Sequence, residues 1–174
     1  GSQVASRQIK RTYLAICEGK VPDSGTIDAP IARCDGSTIE RCVNFECGEK
    51  AVTHYNLCEY DSINNLSLIR LNLETGRTHQ IRVHFNWIGH PLFNDERYDG
   101  SEIRKGTIYA KYRQFIENCF KLLPRQALHA KTLGFVHPRT KQMVRFDSPL
   151  PPDMQSLIDK WRKYAENMTA VQDE

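Results

Sequence analysis

Apolar and polar residues alternate along the first half of the chain in short segments, a pattern typical of β-strands. Four segments are predicted as strands, at residues 11–17, 26–31, 51–60 and 66–73. Clusters of glycine, proline and aspartate separate them and predict turns. Because no helical pattern intervenes, we expect successive strands to pair antiparallel. The alternation changes phase between Leu68 and Ile69, which predicts a β-bulge in the fourth strand.

A helical period replaces this alternation later in the chain. Apolar positions recur at helical spacing between residues 78 and 88, and Gly89 and Pro91 end the pattern, which predicts a first helix there. A second amphipathic helix is predicted over residues 108–123, where Pro124 stops it.

The end of the chain combines a hairpin with a last helix. Residues 133–136 and 142–146 are predicted to form the hairpin, and residues 154–165 an amphipathic helix with Asp153 near its positive end. The polar residues 167–174 predict a frayed tail. No repeat or linker interrupts the pattern, so the elements predict one α+β domain, with a mostly antiparallel sheet and flanking helices.

Composition restricts the partner only partly. The 174 residues are 40% hydrophobic, which is sufficient for one globular core. A net charge of +3 is compatible with a nucleic-acid partner without requiring one. No apolar run approaches the length of a membrane span, so no membrane association is expected. Oligomeric state is left open.

The six cysteines are scattered along the chain and form no C-x-x-C pair. Cys34, Cys42 and Cys47 are badly spaced for a zinc site. A domain of this size does not need disulfides, so free thiols in a reducing cytoplasm are the favoured interpretation.

One segment concentrates the candidate chemistry: residues 73–84, followed by 89–91 and 95–98. A strand end is predicted to bring Arg77 and Arg82 into the first turns of the first helix. Helix amides and guanidinium groups together bind carboxylates or phosphates. The alternative, which spacing alone favours, is that one of these arginines pairs with Glu74 or Asp95 on the surface.

Three histidines in this segment raise the question of a metal. His79 and His84 are five residues apart and therefore lie on different faces of a helix, unlike the ligand pair of H-E-x-x-H. No metal is therefore expected. His84 is predicted to be packed and hydrogen-bonded, while His79 is predicted to cap the helix or to contact RNA.

The same segment resembles a known signature. Residues 73–84 read L-x-T-G-R-T-H-Q-I-R-V-H, followed by G-H-P-L and D-x-x-Y, which resembles the signature of the ribosomal large-subunit (RluA-type) pseudouridine synthase family. Three further stretches agree with the family pattern in order, at residues 10–15, 50–55 and 128–151. The resemblance extends from Ile9 to about Trp161.

This resemblance implies the C-terminal part of the pseudouridine synthase fold and isomerisation of uridine to pseudouridine in RNA, expected to be ribosomal, without cofactor or metal. In the family pattern a catalytic aspartate lies in an H-R-L-D-x-x-T-S-G loop, upstream of the strand that contains Tyr13. That loop is absent from this sequence, and residues 1–2, Gly-Ser, resemble the scar of a removed tag. We therefore expect residues 3–166 to be a catalytic domain truncated at its N-terminus, and this chain to be inactive.

The resemblance implies catalytic roles for two residues. Tyr13 matches the active-site tyrosine, which implies stacking on the target base and help in removing its C5 proton. The alternative is a half-buried strand tyrosine with its hydroxyl in water. Arg82 matches the arginine that pairs with the catalytic aspartate, and in this chain we expect it to be a cation without a partner.

The remaining site residues are assigned to RNA and to the base. Arg77 and His79 are expected to contact the RNA backbone. Lys50 is placed near a phosphate, with a solvated strand lysine as the alternative. Ile81 and Leu128 are expected to pack around the base pocket, with ordinary core packing as the alternative.

Two departures from the family pattern bear on the site. Asn94 stands where the pattern usually has glycine, which predicts a positive φ at an asparagine. The stretch 101–124 is longer than the pattern and, with Arg125, is basic, so it either braces the substrate or presents an ordinary solvated face. Two other functions remain open: a non-catalytic RNA-binding module of the same fold, and a small-molecule or metal enzyme that shares the arginine-rich corner by chance.

Overall fold

The computed structural model describes residues 10–101 and 110–172. Within these ranges, only the backbone is described at residues 10, 110–111, 133–136 and 169–172. The expected tag scar at residues 1–2 and the predicted helix start at residue 108 lie outside the described residues. Within them the chain forms eight strands and three helices. In chain order these are β1 (Lys10–Glu18), β2 (Ser24–Asp28), β3 (Ile31–Arg33), β4 (Arg41–Val43), β5 (Val52–Asp61), β6 (Leu66–Leu73), α1 (Gln80–Trp87), α2 (Ala110–Leu122), β7 (Leu128–Val136), β8 (Met143–Asp147) and α3 (Pro152–Gln172).

Six of the strands form one antiparallel sheet in the order β2-β5-β6-β1-β7-β8, and β3 pairs with β4 in a separate hairpin. Alternate residues of a strand face opposite sides of a sheet. In β1, Ala15 packs in a cluster with Ile81 of α1, whereas Ile16 packs in a cluster with Trp161 of α3. Helix α1 therefore covers one face of the sheet, and α2 and α3 cover the other, which confirms the predicted α+β class.

The predicted bulge lies on the neighbouring strand. Pairing between β5 and β6 shifts register between Leu57 and Glu59, opposite Ile69 and Leu68. The extra residue is thus Cys58 on β5, and β6 itself runs without interruption. The change of phase in the sequence marked the right level of the sheet but the wrong strand.

Three further boundaries differ from the prediction. The segment 26–31 is divided between β2 and β3 because Pro30 has no N–H to donate to a ladder. Strand β7 begins at Leu128 rather than at residue 133, since its first half pairs with β1. Helix α3 continues to Gln172, through most of the stretch predicted as a frayed tail.

No helix among the described residues is long and apolar enough to cross a membrane. In the same part of the chain no three histidine, cysteine or acidic side chains are grouped as metal ligands would be. All six cysteines are free thiols.

Candidate active site

Gln80, the first residue of α1, fixes the turn that leads into this helix. Its Oε1 accepts hydrogen bonds from the hydroxyl of Thr75 at 2.7 Å and from the backbone N–H of Arg77 at 3.0 Å. Its Nε2 donates to the carbonyl of Val52 and to the hydroxyl of Thr53, both at 3.0 Å. Gln80 is buried, so these four bonds determine where α1 begins relative to β5. Sequence reasoning did not identify this residue.

His79 occupies the N-cap position of α1, as predicted, in a left-handed conformation with φ of 57°, but its side chain makes no capping bond. Its Nδ1 lies 2.6 Å from the hydroxyl oxygen of Tyr98. Burial lowers the pKa of His79, and the nearby Arg82 and Arg41 lower it further, while burial raises the pKa of Tyr98. The Tyr98 hydroxyl oxygen also accepts a hydrogen bond from the backbone N–H of Arg41 at 3.1 Å.

Arg82 is paired, which corrects the expectation of a cation without a partner. Its Nε and Nη2 donate to the two carboxylate oxygens of Asp95, each at 2.8 Å. The side chain of Asp95 is 0% exposed and that of Arg82 14% exposed, so the pair is not the surface contact considered as the alternative. The ring of Tyr98 covers the guanidinium, with Cζ 4.9 Å from the ring centroid. The hydrogen bonds to Asp95 raise the pKa of Arg82.

A tight turn places Asp95 beneath Arg82. The N–H of Asp95 donates to the carbonyl of Leu92, and the N–H of Gly100 donates to the carbonyl of Asp95. A Cβ on Gly100 would lie 1.8 Å from the carbonyl oxygen of Leu92, so only glycine fits there. Asn94 has φ of 60°, which confirms the prediction from the sequence, and its amide donates to the carbonyls of Phe120 and Leu123.

Arg82 and Asp95 lie in a cleft of about 440 Å³, whose other lining residues are Glu40, Asn94, Glu96, Arg97, Pro124, Arg125 and Gln126. Nη1 of Arg97 lies 3.7 Å from Oε1 of Glu40, and Nη2 of Arg125 lies 3.1 Å from Oδ1 of Asp153. Arg125 also donates to the carbonyl of Leu128, at the start of β7. The cleft therefore joins the C-terminal part of the basic stretch to the arginine of α1.

Tyr13, Ile81 and Leu128 belong to one region of the core. Ile81 is 4% exposed within the cluster on the α1 face, and Tyr13 and Leu128 are partly buried against that cluster. Tyr13 pairs with Leu71 on β6 and with the exposed Ala130 on β7, at a shift in register. The structure thus places these three residues in or against the same cluster, and their roles at the base remain predictions.

A second cleft, of about 330 Å³, contains Arg77. The other lining residues are Ile31, Ala32, Arg33, Arg41, Glu49, Gly76 and Thr78. Arg77 donates to the backbone carbonyl of Lys50 at 2.8 Å and pairs with Glu49 at 2.8 Å rather than with Glu74, which pairs with His54. The Lys50 side chain is exposed. Contact of Arg77, His79 and Lys50 with RNA stays a prediction.

His84 is packed and hydrogen-bonded as predicted. It is 0% exposed, with Nδ1 2.8 Å from the Thr53 hydroxyl and Nε2 2.8 Å from the carbonyl of Ala29. Because that carbonyl only accepts, Nε2 carries the proton, and Nδ1 accepts from Thr53. On α2, Arg113 and Lys121 are exposed, and the substrate-bracing role of this stretch is untested.

Comparisons with known proteins identify the family of this chain. The sequence model of the RNA pseudouridylate synthase family matches residues 1–87. The chain is 43% identical over 152 residues to the uncharacterized RNA pseudouridine synthase YjbO of Bacillus subtilis, covering 86% of this chain and 46% of the relative. It is 41% identical over 160 residues to ribosomal large subunit pseudouridine synthase D of Nitrosomonas europaea, covering 92% and 43%. The chain thus spans about half the length of these relatives.

Solved structures show the same fold. Human RNA pseudouridylate synthase domain containing 1 matches with a TM-score of 0.66 at 22% identity, covering 95% of this chain and 69% of the human one. Human RNA pseudouridylate synthase domain containing 4 matches with a TM-score of 0.63 at 21% identity. On the family match and the identity to its relatives, this chain belongs to the RNA pseudouridylate synthase family.

Proposed function

We propose that the full-length protein containing this chain isomerises uridine to pseudouridine in RNA, without cofactor or metal, and that its substrate is ribosomal RNA. The glycosidic C–N bond of the target breaks, the uracil turns, and its C5 forms a C–C bond to the same ribose while the C5 proton is lost and N1 gains one. The relatives named as ribosomal large subunit enzymes support the choice of RNA. With that substrate, we place the protein in the cytoplasm.

The observation that carries this proposal is the fixed guanidinium of Arg82. It lies at a cleft large enough for a nucleobase and is partly exposed there, on a helix whose start is set by buried hydrogen bonds. A preorganised cation at such a place orients and stabilises a carboxylate that attacks or deprotonates the target. In the family pattern that carboxylate is the aspartate of the H-R-L-D-x-x-T-S-G loop, which this sequence does not contain. We accordingly propose that the 174-residue chain alone is inactive.

Tyr13 is proposed to act on the base. Its ring, partly buried against the α1 face of the sheet, provides a surface for stacking the uracil after it leaves the RNA helix. Its hydroxyl then helps to remove the C5 proton. Ile81 and Leu128, in the same region, are proposed to close the pocket around the base.

The RNA strand is proposed to cross the second cleft. Three arginines and one glutamate line this cleft, so its charge is positive. Phosphate groups bind to such surfaces through arginine and lysine, which position the RNA without reading its sequence. The proposed backbone contacts are Arg77, which lines this cleft, Lys50, whose carbonyl accepts a hydrogen bond from Arg77, and His79.

Turnover by the full-length protein tests the proposal. The protein is incubated with ribosomal RNA transcribed with uridine tritiated at C5, and tritium release is measured. Wild type is expected to release tritium, and Arg82→Ala to lose about a hundredfold to a thousandfold in rate while still binding RNA. Arg162→Ala is the matched control, because Arg162 makes a bidentate pair with Glu59 away from both clefts.

Two results contradict this assignment. An Arg82→Ala variant with the wild-type rate would remove Arg82 from the mechanism. A wild-type full-length protein that binds ribosomal RNA but releases no tritium would instead identify a non-catalytic RNA-binding module, the alternative left open by the sequence.

A further inference from the structure

The geometry around Arg82 points to a further role: we infer that Asp95 is a positioning residue, which holds one edge of the Arg82 guanidinium so that the other edge receives the catalytic carboxylate. This inference rests on the proposed function. It concerns a residue that touches neither the base nor the ribose in the proposal and acts through Arg82 alone.

A guanidinium group offers two edges for bidentate binding. One edge presents the Nε–H with an N–H of Nη2, and the other presents N–H groups of Nη1 and Nη2. Asp95 occupies the first edge with two bonds of 2.8 Å. Among the described residues Nη1 of Arg82 is not seen to donate a hydrogen bond. Arg82 can therefore hold a second carboxylate without releasing the first.

Asp95 also fixes the orientation of the guanidinium plane. The ring of Tyr98 lies over one side of this plane, with Arg82 Cζ 4.9 Å from the ring centroid. Tyr98 is itself held by His79 and by the backbone of Arg41. With one edge and one side fixed, the direction of the second edge is set before any ligand arrives, which reduces the entropy lost on binding.

The burial of Asp95 argues against a merely structural role. A buried ion pair is on balance no more stabilising than well-packed apolar residues, because both charges lose their hydration. The carboxylate is 0% exposed, and a turn that only glycine can complete at position 100 places it under Arg82. An arrangement this constrained suits the control of Arg82 direction better than it suits stability.

The test is a kinetic double-mutant cycle in the full-length protein. Asp95→Asn removes the charge and one of the two acceptors at nearly unchanged volume, and it is expected to lower kcat about a hundredfold, as misplacement of a reacting group does. RNA affinity should change less than about threefold, because the RNA contacts are elsewhere. In an Arg82→Ala background, Asp95→Asn should lower kcat no further. Glu59→Gln, which breaks the other bidentate pair, is the matched control and should leave kcat unchanged.

The outcomes separate this inference from the proposed function. A wild-type protein without activity overturns the proposed function, and this inference with it. An active wild type whose Asp95→Asn variant keeps its kcat, or loses the same factor in the Arg82→Ala background, overturns the inference alone.

A measurement on the wild-type protein covers the case in which Asp95→Asn does not fold. Bidentate pairing through Nε and Nη2 restricts rotation of the guanidinium group, so nitrogen NMR of the full-length protein should show two distinct Nη signals for Arg82. A single averaged Nη signal would overturn the inference.

Discussion

Removing the Arg82 side chain should destabilise the fold as well as slow turnover. Arg82→Ala leaves the Asp95 carboxylate 0% exposed and without its cation. Breaking a buried pair in this way costs about 3–5 kcal/mol, because an uncompensated charge remains in the interior. The structure gives a similar figure by a second route, since two hydrogen bonds to charged groups contribute about 1.5–3 kcal/mol each.

The exposed pair of Arg162 with Glu59 provides the scale for comparison. The side chains are 43% and 36% exposed, so water and salt screen their attraction. Exposed pairs contribute about 0–1 kcal/mol, and Arg162→Ala should therefore cost several times less than Arg82→Ala. The contrast depends on burial, because both pairs are bidentate.

Urea unfolding of the 174-residue chain, followed by circular dichroism, measures both losses. The double variant Arg82→Ala with Asp95→Asn should be more stable than Arg82→Ala alone, because the second substitution removes the unpaired charge. The reasoning is refuted if Arg82→Ala costs no more than Arg162→Ala, or if the double variant loses the sum of the two single losses.

Three other perturbations have defined outcomes. Burial lowers the pKa of His84, so below a pH of about 6.5 the unfolded chain binds a proton that the folded chain does not. The free energy of unfolding should therefore fall as the pH decreases from there. Urea midpoints measured at several pH values should show this fall, and the His84→Gln variant should show a weaker one. Gly100→Ala should lower the free energy of unfolding by at least about 1–3 kcal/mol, and with it the melting temperature, because the added Cβ would overlap the Leu92 carbonyl. An unchanged melting curve would contradict the described turn. Arg77→Ala in the full-length protein should weaken RNA binding and reduce the slope of log affinity against log salt by roughly one phosphate contact, and an unchanged slope would remove Arg77 from the RNA interface.

Periodicity predicted the elements that bury a continuous apolar face. Strand β6 occupies residues 66–73, as predicted, because its side chains contact the cores on both faces of the sheet. The positive φ of Asn94 was also predictable, since few residue types tolerate that conformation. These two features could therefore be predicted from the local sequence alone.

Contacts between distant segments were beyond the sequence pattern. Strands β3 and β4 have three residues each, too few for a period to be read. Arg82 and Asp95 are 13 positions apart, and their pairing depends on a turn whose hydrogen bonds anchor it to β1, where the N–H of Phe93 donates to the carbonyl of Ile16. The sequence offered Asp95 as a surface partner because it contains no signal of that burial.

Helix α1 cannot by itself fix the direction of Arg82. It has eight residues, and isolated helices shorter than about 12 residues are marginal in water. Its position comes instead from Gln80 bonded to β5, from Ile81 and Phe85 in the core, and from His84 bonded to Thr53. Most residues of the signature around Arg82 therefore serve to hold α1 against the sheet. A substitution at any of them should disturb the guanidinium without touching either cleft, so loss of activity alone does not identify a residue that contacts the substrate.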